Sequence, residues 1–185
     1  MLWMQFRRHG LKSEDLAPCK ALYNFTKLES TDRISDRLFC STLAQKRVAV
    51  KITRFAHEIG NLRRELETYE TLQNRGFKDM PEVYGYVYEE SHDRVVGSVM
   101  ERLHGRYAGS EDLEDCREVL NRVTSYGYIF DDPNRYNWIR TADGMKVFDF
   151  ESSCLREESS TSPADELAAL PQHLADTSGV GYRWD

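Results

Sequence analysis

Cysteine is sparse in this chain and scattered. Cys19, Cys40, Cys116 and Cys154 include no Cys-x-x-Cys pair, so neither a zinc site nor a disulfide framework is indicated, and a reduced, cytoplasmic protein is expected. The histidines, His9, His57, His92, His104 and His173, show no ligand spacing either. No apolar run approaches the roughly 20 residues of a membrane span. The first ten residues hold Arg7 and Arg8 but lack the ordered apolar core of a signal peptide. Basic charge is not in excess: 25 Lys and Arg stand against 31 Asp and Glu, a net charge of −6. A nucleic-acid binder held by phosphate contacts needs the opposite balance, so neither nucleic acid nor membrane is expected as a partner. Glycine is absent between Gly10 and Gly60, which leaves no glycine-rich loop in that span to cradle a phosphate with backbone N–H groups. No internal repeat is visible.

What is present is an ordinary globular composition, 40% hydrophobic and 30% charged over 185 residues, enough for one domain or two small lobes. The stretch from Tyr126 to Glu151 is the most informative. Asp132 and Asn137 lie five residues apart in a loop, and an apolar strand from Met145 to Phe150 delivers Asp149. Asp143-Gly144 between them is a hairpin-turn signal. Hard oxygen groups gathered at one edge of a hairpin can bind Mg²⁺ and leave one carboxylate to act on a hydroxyl. Taken alone, the same residues also describe a solvated hairpin with turn-forming Asp and Asn.

The rest of the chain reads in order. Residues 1–35 are weakly periodic and are expected to form an appendage packed on the main body, with Leu16–Tyr23 a short helix broken by Pro18. Arg37–Ala44 and Lys46–Thr53 read as strands around Gln45. In the second, Val48, Val50 and Ile52 face one way, and Arg47, Ala49, Lys51 and Thr53 the other. Phe55–Arg75 is a helix with apolar residues at 55, 59, 62, 66, 69 and 72, stopped by Gly76. Glu65 and Glu58 fall at the border of its apolar stripe. Val83–Glu90 and Arg94–Met100 read as strands. Ser110–Tyr126 reads as a helix with Ser110 as N-cap, buried through Leu113, Cys116, Leu120 and Val123, and ended by Gly127. After a polar stretch, Ser162-Pro163 opens a helix to about Leu174, and Tyr182 and Trp184 are candidate anchors for the tail.

Several of these pieces resemble parts of the protein-kinase-like superfamily. Val48-Ala-Val-Lys51 is similar to the Val-Ala-Ile-Lys of its third strand. Arg-Glu-x-x-x-Tyr-x-x-Leu around Glu65 is similar to the helix that carries the Lys partner. Val-Met-Glu-Arg-Leu, residues 99–103, resembles the strand entering a hinge. Asp132-x-x-x-x-Asn137 followed by Phe-Asp149-Phe-Glu151 looks like the catalytic loop and metal motif of RIO-type and aminoglycoside- or choline-phosphotransferase-type kinases. The resemblance covers about residues 36–155 and implies an α+β, two-lobe fold: an N-lobe over 36–101 and a reduced C-lobe over 102–185. It implies ATP and Mg²⁺ as cofactors. Lys51 would hold phosphates and Glu65 would hold Lys51. Met100, Glu101 and Leu103 would meet adenine, Asn137 and Asp149 would bind the metal, and Asp132 would act on the acceptor hydroxyl.

The departures are equally specific. The glycine loop is missing, the usual His-Arg before the catalytic Asp is Phe130-Asp131, and Asn134 stands where a Lys is usual, with Arg135 next to it. No Ala-Pro-Glu follows Asp149. Two functions therefore stand: an ATP-dependent phosphotransferase with a small-molecule, or else a protein, acceptor, and a pseudokinase serving as a nucleotide-binding or interaction scaffold. Glu151 is left between assisting a metal and capping its loop.

Overall fold

A computed structural model of the chain describes residues 9–17 and 20–179. The architecture is mixed α+β. A six-stranded sheet is built from β1 (Ala21–Asn24), β2 (Asp32–Arg33), β3 (Leu38–Leu43), β4 (Lys46–Ile52), β5 (Val83–Tyr88) and β6 (Val95–Glu101), in the order β1-β5-β6-β4-β3-β2. β1 runs parallel to β5, and the other pairings are antiparallel. Helix α1 (Ile59–Asn74) connects β4 to β5. The remaining chain supplies β7 (Arg106–Tyr107), α2 (Leu113–Ser125), β8 (Tyr128–Ile129), β9 (Trp138–Thr141), β10 (Gly144–Val147), β11 (Cys154–Leu155) and α3 (Pro163–Ala175). These form a three-stranded sheet in the order β10-β9-β7, a short β8–β11 pair, and two helices that pack on each other.

The β3–β4 hairpin follows from its alternation and its turn. Ala44 and Gln45 both have positive φ, 47° and 68°, the two-residue turn whose twist matches a hairpin. Val48 and Val50 pack with Val87, Val96 and Val99 on one face, covered by Tyr23, Phe25 and Leu28. The opposite face carries Ala49 and Lys51, and α1 lies against it through Leu62 and Leu66, which pack on Tyr86. β4 is buried on both faces, as its position in mid-sheet requires. Lys51 pairs in register with Ser98, and a side chain on the neighbouring Gly97 would reach 2.1 Å from the Lys51 carbonyl. Gly97 thus lets β6 run close beside β4 at the lysine.

Four sequence expectations change. Ala21–Tyr23 are strand, not helix, because their backbone extends the sheet edge at β5; Pro18 lies outside the described residues, as do Tyr182 and Trp184. The first α-helix starts at Ile59 rather than Phe55. Glu58 turns back to accept the N–H groups of Arg54 and Phe55 at 2.6 and 2.9 Å, which closes the helix there and leaves Phe55 55% exposed. Ser110 is not the cap of the second helix. The buried Asp112 carboxylate accepts the Gly109 N–H at 3.0 Å, held by Arg106 and Arg140. The last hairpin turns on Ala142-Asp143, with Gly144 (φ 120°) opening β10, which ends at Val147.

One apolar cluster joins the large sheet to the second half of the chain. It runs from Ala49, Val83 and Met100 through Tyr69 and Leu72 to Leu120, Val123, Phe130, Trp138, Phe150 and Leu174. Edge-to-face aromatic pairs continue through it: Tyr69–Phe150 at 5.0 Å, Phe150–Phe130 at 5.3 Å and Phe130–Trp138 at 5.7 Å. Among the described residues, no helix is long and apolar enough to cross a membrane. Truncating Leu120, fully buried in this cluster, removes packing that its surroundings replace only in part. Leu120→Ala is expected to lower unfolding stability by about 2–5 kcal/mol in urea titrations, whereas Leu155→Ala, 38% exposed, should cost under about 1 kcal/mol.

Candidate functional site

A cavity of about 430 Å³ lies between the α1 face of the large sheet and the β9–β10 hairpin. Lys51, Glu65, Met100, Glu101, Leu103, Asn137 and Asp149 all line it. Its upper wall is Ile34, Leu38 and Ala49, and its lower wall includes Tyr136, Ile139 and Phe148. Met100, Glu101 and Leu103 form a contiguous edge where β6 leaves the sheet. Asp132 does not line the cavity. It reaches the site through Asn137, whose Nδ2 donates to the Asp132 carbonyl at 3.1 Å and to its carboxylate at 3.0 Å.

Lys51 is the centre of charge. Its Nζ lies 2.8 Å from both Glu65 oxygens, 2.8 Å from Asp149 Oδ1 and 2.9 Å from Glu151 Oε1. Lys51 and Asp149 are 98 residues apart in sequence, so only tertiary folding brings them together. Oxygens of Glu65, Asp149 and Glu151 lie within 4.8 Å of one another. Burial raises the Glu65 carboxyl from its ordinary 4.5 to about 7; Lys51 opposes this, and the Asp149 and Glu151 charges add to it. Burial also pushes on Glu151, but Lys51 and Arg37 hold it below the usual carboxylate range. Asp132 is raised, chiefly by burial, with the Asn137 hydrogen bond working against the shift.

The loops that present these groups are tightly determined. Asp149 and Asp131 both adopt left-handed backbone, with φ of 66° and 62°, a region that non-glycine residues enter only when their surroundings hold them there. The Asp149 N–H donates to the buried Tyr69 hydroxyl at 3.2 Å. The Asp131 N–H donates to Glu166 Oε1 at 2.6 Å, and the Thr161 hydroxyl donates to the Asp131 carboxylate at 2.8 Å. Glu166 is buried on α3, and burial raises its carboxyl. The Phe148 N–H bonds the Asn137 carbonyl at 3.0 Å, tying the Asp132 loop to the strand before Asp149.

Sequence reasoning passed over several of these participants. Arg37 donates to both Glu151 oxygens at 2.8 Å and to Glu58 at 3.1 Å. Arg64 donates to the Glu151 carbonyl at 2.8 Å. Of the two border glutamates, Glu65 meets Lys51 and Glu58 meets Arg37. Glu151 joins the charged network rather than simply capping its loop. Arg37 sits 114 residues from Glu151, at a strand entrance where an arginine carries no pattern signal. Glu166 follows the helix cap Ser162 and reads as an ordinary first-turn acid.

No protein-family model matches the chain, and no curated protein matches it.

The arrangement offers a cavity with apolar walls lined also by a lysine and by carboxylate and amide oxygens. Replacing Lys51 leaves buried carboxylates without their main counter-charge. Lys51→Met is expected to lower stability by about 3–5 kcal/mol at pH 7. Lys51 opposes the rise of Glu65 and holds Glu151 down, so without the ammonium both carboxyls titrate higher in the folded variant than in the folded wild type, and the variant takes up protons on folding that the wild type does not. The deficit should therefore shrink as pH falls from 7 towards 5, read from urea midpoints across that range. A deficit that grows on acidification would contradict this charge assignment.

Proposed function

We propose that the chain is a minimal ATP-dependent phosphotransferase with a protein-kinase-like, two-lobe fold, acting on the hydroxyl of a small-molecule acceptor. The observation that carries this reading is the meeting of Lys51, Glu65 and Asp149 at 2.8 Å from three separate parts of the chain, in one cavity with Asn137. Structural ion pairs also occur in cores. Here the lysine instead lines a cavity of about 430 Å³, within the range of small-molecule sites.

The roles follow from position. The Met100–Leu103 edge and the apolar walls receive the adenine. Lys51 meets the phosphates, oriented by Glu65. Asn137 and Asp149 would hold Mg²⁺. The Asn137 amide donates through Nδ2 to Asp132, which turns Oδ1 the other way, and an all-oxygen donor set suits this hard cation. When bound, the ion would neutralise charge on the phosphates. Asp132 orients the acceptor hydroxyl and takes its proton while the hydroxyl oxygen bonds to the γ-phosphorus. The bond from that phosphorus to the bridging oxygen breaks, and ADP leaves with the electron pair. Burial raises the Asp132 carboxyl, making it a stronger base than an exposed aspartate.

One observation favours the scaffold reading. In the turn from 34 to 37, which stands over the cavity, the N–H groups of Ile34 and Ser35 both donate to the Leu38 carbonyl at 2.9 Å, so these backbone donors are not offered to a nucleotide. Calorimetry and turnover separate the two functions. ATP is expected to bind in the presence of Mg²⁺, and more weakly after metal removal or in Asp149→Ala. Asp132→Asn should retain ATP affinity and lose transfer, because it acts on the acceptor rather than the nucleotide. Equal ATP binding with and without metal would remove the metal assignment. Identical background turnover in wild type and Asp132→Asn, across a metabolite panel, would favour the scaffold.

A further inference from the structure

We propose that Arg37, which stands beside the cavity next to Lys51 rather than in its lining, is a second phosphate-binding cation, and that the Glu151 carboxylate holds the place of a phosphate group until a nucleotide displaces it. The proposal rests on the nucleotide reading above and supplies what that reading leaves open: which group grips the phosphates where no glycine loop exists.

The geometry is that of a filled anion site. Arg37 Nη2 lies 2.8 Å from Glu151 Oε1, and Lys51 Nζ lies 2.9 Å from the same oxygen. A guanidinium and an ammonium thus converge on one oxygen. A guanidinium fork binds carboxylate and phosphate alike, so a phosphate oxygen can take this position with little rearrangement of either cation. Arg37 is half-buried with its side chain 15% exposed, which makes its charge more effective than that of a surface arginine.

The turn that carries Arg37 has few other means of holding a phosphate. The Ile34 and Ser35 N–H groups are spent on Leu38, and the Arg37 N–H meets Ser35 Oγ at 3.3 Å. The grip must come from a side chain. Release of Glu151 would not loosen the turn. Asp36 is tied to Arg54 at 3.0 Å and to Arg33, and Arg37 keeps Glu58 as a second partner at 3.1 Å. On the other side, Arg64 holds the Glu151 carbonyl, so the carboxylate can swing while its backbone stays.

The test is calorimetry on the full chain with three ligands: ATP with Mg²⁺, ATP in EDTA, and adenosine, which has no phosphate. Arg37→Ala is expected to weaken ATP with Mg²⁺ roughly ten- to hundredfold, the range of a charge-assisted hydrogen bond, and to leave adenosine unchanged. Arg37→Lys, which keeps the charge and loses the fork, should recover part of the loss. Glu151→Gln removes the competing anion and should bind ATP in EDTA several-fold more tightly than wild type, again with adenosine unchanged. Wild-type ATP affinity in Arg37→Ala, or an equal loss for adenosine, overturns the role of Arg37 and leaves the nucleotide reading standing. ATP in EDTA that binds Glu151→Gln no more tightly than wild type overturns the displacement. If wild type binds neither ATP nor adenosine, the nucleotide reading itself fails and takes this assignment with it.

Discussion

The ammonium of Lys51 sits among three carboxylates with its side chain largely buried, and much of the structure is arranged to make that possible. An ammonium taken out of water costs several kcal/mol unless its surroundings replace the lost hydration. Glu65 from α1, Asp149 two residues beyond the end of β10 and Glu151 just after it supply that replacement. Carboxylates so close together repel one another in turn. The strain is relieved by burial lifting Glu65 towards its neutral form and by Arg37 bringing a second positive charge to Glu151. A charged cluster of this kind contributes little to net stability compared with an apolar replacement.

The apolar framework shows how such a cluster can be held in register. β4 lies in mid-sheet between β3 and β6, with Gly97 permitting the close approach at Lys51. α1 crosses the same sheet face, so Glu65 meets the lysine from above. Tyr69, one helical turn further on, packs edge-on to Phe150 and receives the Asp149 N–H. The same helix therefore aligns both Glu65 and Asp149. Phe130 and Trp138 extend that packing to the Asp132 loop, which Glu166 fastens from α3. The two left-handed aspartates, Asp131 and Asp149, stand where these constraints meet.

Much of this was legible in the chain. The alternation of Val48, Val50 and Ile52 identified a strand and placed Lys51 on its other face. The 3.6-residue spacing through Leu62, Leu66, Tyr69 and Leu72 identified a helix with Glu65 beside its buried stripe. Gly76, Gly127 and Ser162 marked helix ends because each acts through its own backbone or nearest neighbours. Failures came where a local signal lost to a distant one. Ala21–Tyr23 pair with β5 some 60 residues away, and Phe55 was excluded from its helix by the Glu58 carboxylate. Ser110 does not cap because Gly109 stands at the N-cap, its N–H taken by the Asp112 carboxylate, which Arg106 and Arg140 also hold.

The sequence by itself determined the periodic elements, their order, and which side chains could carry chemistry. Those follow from sterics and from the burial of apolar faces over a few neighbouring residues. The pattern around Glu65 already favoured it over Glu58 as the partner of Lys51; the tertiary structure alone decided that Asp132 lies behind Asn137, bonded to its amide, rather than in the cavity lining. It alone brought Arg37 to Glu151 across 114 residues. Charge pairing has no period along a chain. A carboxylate attracts whichever cation packing brings within a few ångströms, and that choice is made only once the helices and sheets have met.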